Sequence, residues 1–466
     1  MKTKHVKHKW RLIFVFISGL TLASGCTKDW LDIKSDKRQA VPETNEDLQA
    51  ILDDISVINN QTSNPLAMGE IAADGHYYTD QTFQEWGNVS FEYQNIYSWS
   101  SIYRFENIAY DGGGYSQAYQ AIANCNVVLG SKAGKNEIKE FTHVNAQALF
   151  HRGRIYYNLA QTLIKPYSKQ TANTDPGLAL MVTNDVTVST KRSTIEQTYD
   201  LIISDITRSI DGLPAMPLYL SRASKIAAFG MLARIYLNMN DYDNAYFYAN
   251  EYLKLSPELL DYNSLSTTAN FIGINKEMKF VQLSSNNNLR NRYLVEHDLY
   301  NSFDNDDLRK AVFFNTSSGA VQFKGKYSHS ASFNFFGIAT DEIYLIRAEC
   351  LARKGDLSKA MKDLNDLLRS RWAKNPDGSS KYVDQTANDE LTALHLILKE
   401  RRKELILRGI RWSDLRRLNQ DPRFAVTLKR TILGKEYTLA PNSDRYTFPF
   451  PKEVIERSEI TQNPGW

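Results

Sequence analysis

Asp304, Asp306 and Asp307 place three carboxylates within four residues, a density at which side chains can begin to hold a calcium ion. The loop spacing fails at once: Leu308 occupies the third ligand position and no glycine follows it. A loose calcium site and a solvated acidic turn both remain open. The eight histidines do not cluster at ligand spacing, and two of them, His5 and His8, lie in the leader. Cys125 and Cys350 stand far apart with no CxxC pair, which speaks against structural zinc and for two buried thiols acting as small apolar groups. GxGxxG, HExxH, GxSxG and a phosphate-binding GxxxxGKS/T are all absent. Carboxylate pairs for glycoside hydrolysis are assembled by folding, and nothing in the chain singles one out. The expectation is a protein that is not an enzyme and uses no cofactor and no assigned metal.

Cys26 is the residue whose surroundings name a reaction. Lys2, Lys4, Lys7, Lys9 and Arg11 form a basic start, and Leu12–Leu22 is an apolar run too short to cross a bilayer. Ala23-Ser24-Gly25 then precedes the cysteine. This order resembles a bacterial lipobox, in which the thiol takes a diacylglycerol and becomes the new N-terminus. One departure is Ala23 where leucine is usual, with Leu22 one place early. The alternative is an ordinary secretory signal with a chance cysteine. The reading adopted is a leader over 1–25, a polar lipidated tether over 26–43, and a body over 44–466 held to a membrane by lipid.

Without the five leader cations the chain carries two more acidic than basic side chains. That removes the electrostatic case for nucleic-acid binding. About 440 residues remain, enough for one large or several small domains. Tyrosine is frequent, at 26 residues, with 7 tryptophans. These side chains pair a flat apolar face with a polar tip, which suits packing, interfaces and sugar rings alike.

The elements that would carry such residues are mostly helical. Thr44-Asn45-Glu46-Asp47 opens a helix whose face is Leu48, Ile51, Leu52 and Ile55. Gly69–Gly114 reads as a long irregular aromatic loop. Tyr115–Leu129 and Glu137–Ile164 follow as an antiparallel pair. Next comes Thr194–Leu213, capped by Ser193 or Thr194 with Glu196 or Gln197 near the third position. Arg222–Asn238 and Tyr242–Leu255 form a hairpin in which Ala233 and Ala245 are twelve apart, and Ala348 and Ala360 repeat that spacing around Gly355-Asp356. Small residues on both helices let their axes approach closely, the geometry of tetratricopeptide-type repeats. Asp261–Gly337 interrupts the rhythm, with Val281–Leu283 and Val321–Phe323 as short strands. Asn388–Arg408 reads as a long helix closed by Gly409, and Leu415–Leu418 begins another capped by Ser413 or Asp414.

Four segments together resemble the SusD/RagB family of outer-membrane nutrient-binding lipoproteins. They are CTKDWLDI from Cys26, AYQAIANCNVVL (Ala118–Leu129), EIYLIRAECLARKGDLSKAMKDLNDL (Glu342–Leu367), and ERRKELILRGIRWSDLRRL (Glu400–Leu418) with the closing ITQNPGW. In the last motif Arg401, Glu404, Arg408, Asp414 and Arg417 suit ion-pair networks, and Trp412 suits an apolar anchor. Glu400 and Arg401 therefore read as fold-holding. The resemblance implies a SusD-like fold, mostly α, with four tetratricopeptide-like helical pairs, long irregular loops and few strands. It implies one domain over 44–466 with inserts near 69–114 and 261–337. It implies capture of glycans at the outer membrane for a TonB-dependent transporter, over which the protein acts as a lid. The family alternatives are peptide capture and a scaffold without a small ligand. By the same analogy the ligand site draws on Gly69–Gly114 and Ser284–Gly337. Trp86, Trp99, Tyr77 and Tyr78 are the stacking candidates, and Asp74, Asn88, Arg290, Asn291 and Tyr293 the polar or edge candidates.

Overall fold

The computed structural model describes residues 42, 44–59, 64–89, 91–100, 114–131, 138–185, 191–284, 292–316 and 319–466. The leader, Cys26 and the 26–41 stretch of the tether lie outside the described residues, as do Arg290 and Asn291. No described helix is long and apolar enough to cross a membrane. Asn45–Trp466 packs as one unit.

The scaffold is a run of eight helices, each packed on the next: Tyr115–Gly130, Ile138–Leu163, Ile195–Ser209, Lys225–Asn238, Tyr242–Leu255, Thr340–Arg353, Leu357–Arg369 and Glu390–Glu404. Local sequence explains where several begin. Thr194 and Gln197 make a reciprocal capping box. Ser224, Asp241, Asp356 and Asp389 each accept a first-turn backbone N–H. Ala233, Ala245, Ala348 and Ala360 are all fully buried, as close helix packing requires. The expected hairpins are thus present, and the chain is a tetratricopeptide-like helical scaffold with few short strands.

Several boundaries differ from expectation. The first helix stops at Asp53, because the Asp54 side chain caps a new turn, Ile55–Ile58. Ile55 is thereby exposed instead of joining Leu48 and Leu52 in the core. The helix capped by Thr194 ends at Ser209 and runs on as a single 3-10 turn. The 69–114 segment is not irregular where described. It holds the Pro65–Ala72 helix, a strand His76–Tyr78 and two helices, Asp80–Val89 and Phe91–Tyr97. Asn64 caps the first of these with proline next to it, and Phe83 and Trp86 share the buried face of the second. The strand expected at Val281–Leu283 is split into Met278–Phe280 and Leu283–Ser284. A hairpin not foreseen, Leu428–Ile432 with Lys435–Leu439, turns at Leu433-Gly434 with both residues left-handed.

The largest differences fall in the Glu400–Leu418 motif. The Glu390–Glu404 helix ends five residues before Gly409, and the next helix begins at Arg411. Gly409 is needed for another reason. Its φ is +72°, and a Cβ there would stand 2.8 Å from the Phe336 ring. Neither Ser413 nor Asp414 caps a helix. The Asp414 carboxylate receives Arg401 at 2.8 Å and Arg417 at 2.8 Å. Trp412 is the expected anchor: it is buried, stacks on Tyr446 and Phe448, and lies so close to Gly69 that a Cβ there would come within 2.8 Å.

The motif binds distant carboxylates. Arg417 grips Glu349 through two bonds of 2.7 and 2.8 Å, and Arg408 reaches Asp341 at 2.9 Å. Arg234 closes a similar fork on Glu342. A second cluster surrounds Arg309, which meets Asp307, Glu400 and Glu404, while Arg371 joins Glu404 to Glu277. All these groups are buried. Burial alone would raise Asp414, yet Arg401 and Arg417 hold its carboxyl below the usual range. At Glu277 burial wins over Arg371, and its pKa is raised. The acidic turn finds its partners here too: Asp307 pairs with Arg309 and Lys403, and Asp306 with Lys381. Asp306 and Asp307 thus turn toward separate cations, while the Asp304 carboxylate accepts the Asp306 N–H at 2.9 Å.

Removing one member of such a pair strands the other in a dry interior. Arg408→Ala, which leaves Asp341 without an ion-pair partner, should cost about 3–5 kcal/mol of unfolding free energy, and Arg408→Met with Asp341→Leu together should cost less than the single change. Urea denaturation of the three proteins checks this. A single variant as stable as the parent would contradict it.

Candidate functional site

The two segments expected to carry the ligand site meet in a short antiparallel ribbon. His76 faces Val295, Tyr77 faces Leu294 and Tyr78 faces Tyr293. Strand alternation decides what each ring does. His76, Tyr78, Tyr293 and Val295 point into the core, while Tyr77 and Leu294 point the other way and are half-buried. The Tyr77 ring lies 5.9 Å from the ring of His297, with 30° between their planes, and His297 is exposed. Beside them Arg292 pairs with Glu85 at 2.8 Å, with each side chain close to half exposed.

The other stacking candidates are corrected by burial. Trp86 is only 3 % exposed and sits in an aromatic cluster with Tyr78, Tyr93 and Tyr97. Trp99 is 7 % exposed: its Nε1 donates to the Ala72 carbonyl at 3.0 Å, and Arg430 covers its ring at 4.4 Å. Tyr78 packs on Trp86, Tyr97 and His76. Tyr293, an edge candidate, is buried against His76. In this structure none of the four offers an open ring face to a sugar. Of the remaining candidates, Arg290, Asn291 and the Asn88 side chain lie outside the described residues.

Asp74 is committed to the protein itself. Arg411 forks onto it at 2.6 and 2.9 Å, and Arg402 stands 3.3 Å away. Burial would raise its pKa, but these two cations hold the carboxyl far below the usual carboxylate range. The pair ties the site loop to the start of the Arg411–Leu418 helix. Arg430 ties the same loop from its other end. It donates to the carbonyls of Ala72, Ala73 and Tyr97, and lies over the Tyr97 ring at 4.0 Å. Asp80 anchors the hairpin tip by accepting from the Leu433 N–H at 2.8 Å. The ribbon is therefore held by ion pairs and carbonyl clamps under an outward face of two rings and one exposed ion pair.

Beneath that face lie two buried titratable groups. His76 is pushed down to about 3 by burial and by Arg430, so it is neutral at physiological pH. Glu70 is raised to about 7, chiefly by burial, with Asp74 adding to the effect and backbone hydrogen bonds to Arg411 and Gly409 opposing it. One of its carboxyl oxygens, Oε1, has no hydrogen-bond partner. No group of three metal-ligating side chains occurs among the described residues. The described part of this surface can stack, donate and accept.

His297, Arg292 and Glu85 were missed by sequence reasoning. The alternating His-Tyr-Tyr triplet was the available signal for Tyr77, since one residue in a strand must face away from its two neighbours. Nothing local marks His297, which reaches Tyr77 only through the pairing of segments more than two hundred residues apart.

The family described as "Starch-binding associating with outer membrane" matches residues 29–237, and the family described as "SusD family" matches residues 314–466. A tetratricopeptide repeat matches residues 226–259. The chain is 24% identical to SusD-like protein P2 of Formosa agariphila, over 76% of this chain and 80% of that protein. Among solved structures, a SusD superfamily protein of Bacteroides thetaiotaomicron aligns with a TM-score of 0.71 at 21% identity, covering 90% of this chain and all of its own. A putative sugar binding protein of Bacteroides vulgatus gives 0.71 at 20% identity, covering 92% and 100%. A laminarin binding SusD-like protein gives 0.65 at 17% identity, covering 91% and 100%.

The carboxyl under the ribbon carries a pH signature. The fold favours neutral Glu70, so its stabilising share is whole below the ordinary value of 4.5 and is lost as pH rises to about 7. Glu70→Gln should therefore gain on the parent between pH 4.5 and pH 8, by about 3 kcal/mol at most. Denaturant unfolding of both proteins across that range measures the gain. A difference that does not change with pH would rule the effect out.

Proposed function

We propose, from the premise that the chain belongs to the SusD/RagB family, that it captures glycans on the surface formed by the paired His76–Tyr78 and Tyr293–Val295 strands. The observation that carries this is the pairing itself, which sets the outward Tyr77 ring beside His297 and the Arg292–Glu85 pair. A sugar presents an apolar C–H face and a rim of hydroxyls. The Tyr77 ring receives the face, while Arg292 and Glu85 donate to and accept from the rim. Asn88, Arg290 and Asn291 stay within this proposal as rim contacts, and Asp74 enters it as a positioning group. The family description that speaks of starch, and the similar structures named for laminarin and sugar, support a carbohydrate over other ligands.

The finer reading follows the family. The protein is anchored in the outer membrane by lipid on Cys26 and faces outward. It sits as a lid over a TonB-dependent transporter and passes the glycan to it. Residues 26–43 serve as tether and 44–466 as the binding body. The protein contributes affinity and closure; it performs no bond chemistry of its own.

Calorimetry of the purified protein against maltohexaose, laminarihexaose and a peptide pool tests the reading. Tyr77→Ala should weaken a bound sugar about tenfold or more, Tyr77→Phe should keep most of the affinity, and His297→Ala should fall between them. Binding of peptides with silent sugars would move the protein to peptide capture. Silence in both arms would leave a scaffold.

A further inference from the structure

A concavity lies on other elements, with no lining residue in common with the ribbon surface. It has a volume of about 780 Å³ and opens between the chain after the Ile138–Leu163 helix, the end of the Arg411–Leu418 helix and the 442–447 turn. Past Tyr242 and Gln420 it continues into a hollow of about 640 Å³. Small-molecule pockets of this size are mostly apolar. This one is mixed: Pro166 is the one lining residue without a polar side-chain group, and the wall is about evenly polar and apolar.

Most of its charges are already answered from within. Arg353 meets Glu349 at 3.0 Å and Asp421 at 3.5 Å. Arg423 meets Asp421 and Glu390, and Lys165 stands 3.5 Å from Asp175. Arg417 is held by Glu349 and Asp414. Arg416 has no carboxylate, but its guanidinium donates to the carbonyls of Gln161 and Ile164 at the end of the long helix. An anion would have to displace these partners, and a cation would find no cluster of open carboxylates. What the lining still offers is mostly neutral: amides, hydroxyls and the Tyr242 ring, with Asp444 as the one lining carboxylate that no ion pair occupies among the described residues.

The walls are cross-tied before any ligand arrives. Asn240 donates to Gln420 at 3.3 Å, and Gln420 donates to the Tyr167 carbonyl at 3.0 Å. Asn442 donates to the Asn419 carbonyl at 2.9 Å, and the Tyr242 hydroxyl donates to Asn240 at 2.9 Å. Asn240 and Asn442 both have left-handed backbones, at φ +58° and +57°. Four stretches far apart in sequence thus hold one polar hollow in fixed shape, which spares a ligand much of the ordering cost.

We propose that this cleft is a second binding site, for an uncharged hydroxyl-rich ligand of the sugar or polyol class, independent of the ribbon surface. Hydroxyls exchange donor and acceptor roles with amides and with each other, so such a ligand satisfies a compensated polar wall without disturbing its ion pairs.

The test uses the purified protein with maltohexaose and laminarihexaose as probes, read by calorimetry and by hydrogen–deuterium exchange. With Tyr77→Ala in place, a probe should still bind and should protect amides in 165–175 and 440–447. Thr171→Trp, an exposed lining position, should fill the cleft and weaken that remaining binding about tenfold. Asn442→Gly, which keeps the left-handed turn but removes the amide, should weaken it about three- to tenfold. Circular dichroism on each variant confirms that the fold is kept. The proposal is overturned if no probe binds the Tyr77→Ala protein, if binding leaves both segments unprotected, or if Thr171→Trp binds as before. Failure of the ribbon reading would look different: Tyr77→Ala would bind as the parent does.

Discussion

Arg417, locked between Glu349 and Asp414, represents the constraint on which the remaining structure depends. Buried cations and carboxylates of the closing part of the chain are matched with those of the Thr340–Arg353 helix and of the preceding insert, in both directions. Arg408 takes Asp341, Arg417 takes Glu349, Arg371 takes Glu277, and Arg309 is shared among Asp307, Glu400 and Glu404. Pairs of this kind contribute little net stability once desolvation is counted, but mispairing is costly. Their physical role is selection: with Arg417 in its fork, the Arg411–Leu418 helix has one register, and Trp412 one slot beside Gly69.

That register bears on both the ribbon and the polar cleft. The first residue of the helix, Arg411, fixes Asp74 and so the approach to the ribbon, while its last turn supplies Arg416 and Arg417 to the polar cleft. Arg430 completes the frame by clamping the carbonyls that end the Pro65–Ala72 helix. The ribbon's frame is consequently built on side chains, Arg411 and Arg430, whose partners lie within the protein itself.

Much of the fold was legible because its signals are local. A capping box needs residues three apart, and a close helix pair shows as alanines twelve apart; both stand in the sequence around Thr194 and Ala233. The acids and bases of the Glu400–Leu418 motif were legible as a network but not as partners, since Asp414 could equally have been a cap. What decided it was the arrival of Arg401 and Arg417, a matter of tertiary distance. The site was legible only as two segments. Aromatic density cannot show which ring keeps an open face, because that depends on what lands on it: an arginine from the Leu428–Ile432 strand on Trp99, and three tyrosines on Trp86. Tyr77 escapes because a strand must alternate.

The long reach of the ion pairs has a consequence for the order in which the chain can become a protein. Arg234 and Glu342 are separated by 108 residues, and Arg309 and Glu400 by 91. Until the Glu400–Leu418 stretch has joined what precedes it, Asp341 lacks its counter-charge, Arg408, and Glu349 has Arg353 but not Arg417, so burying Asp341 is costly. Contacts of such sequence separation also close slowly. The buried acids at the start of the Thr340–Arg353 helix and near its end thus receive their full set of partners only from residues close to the end of the chain.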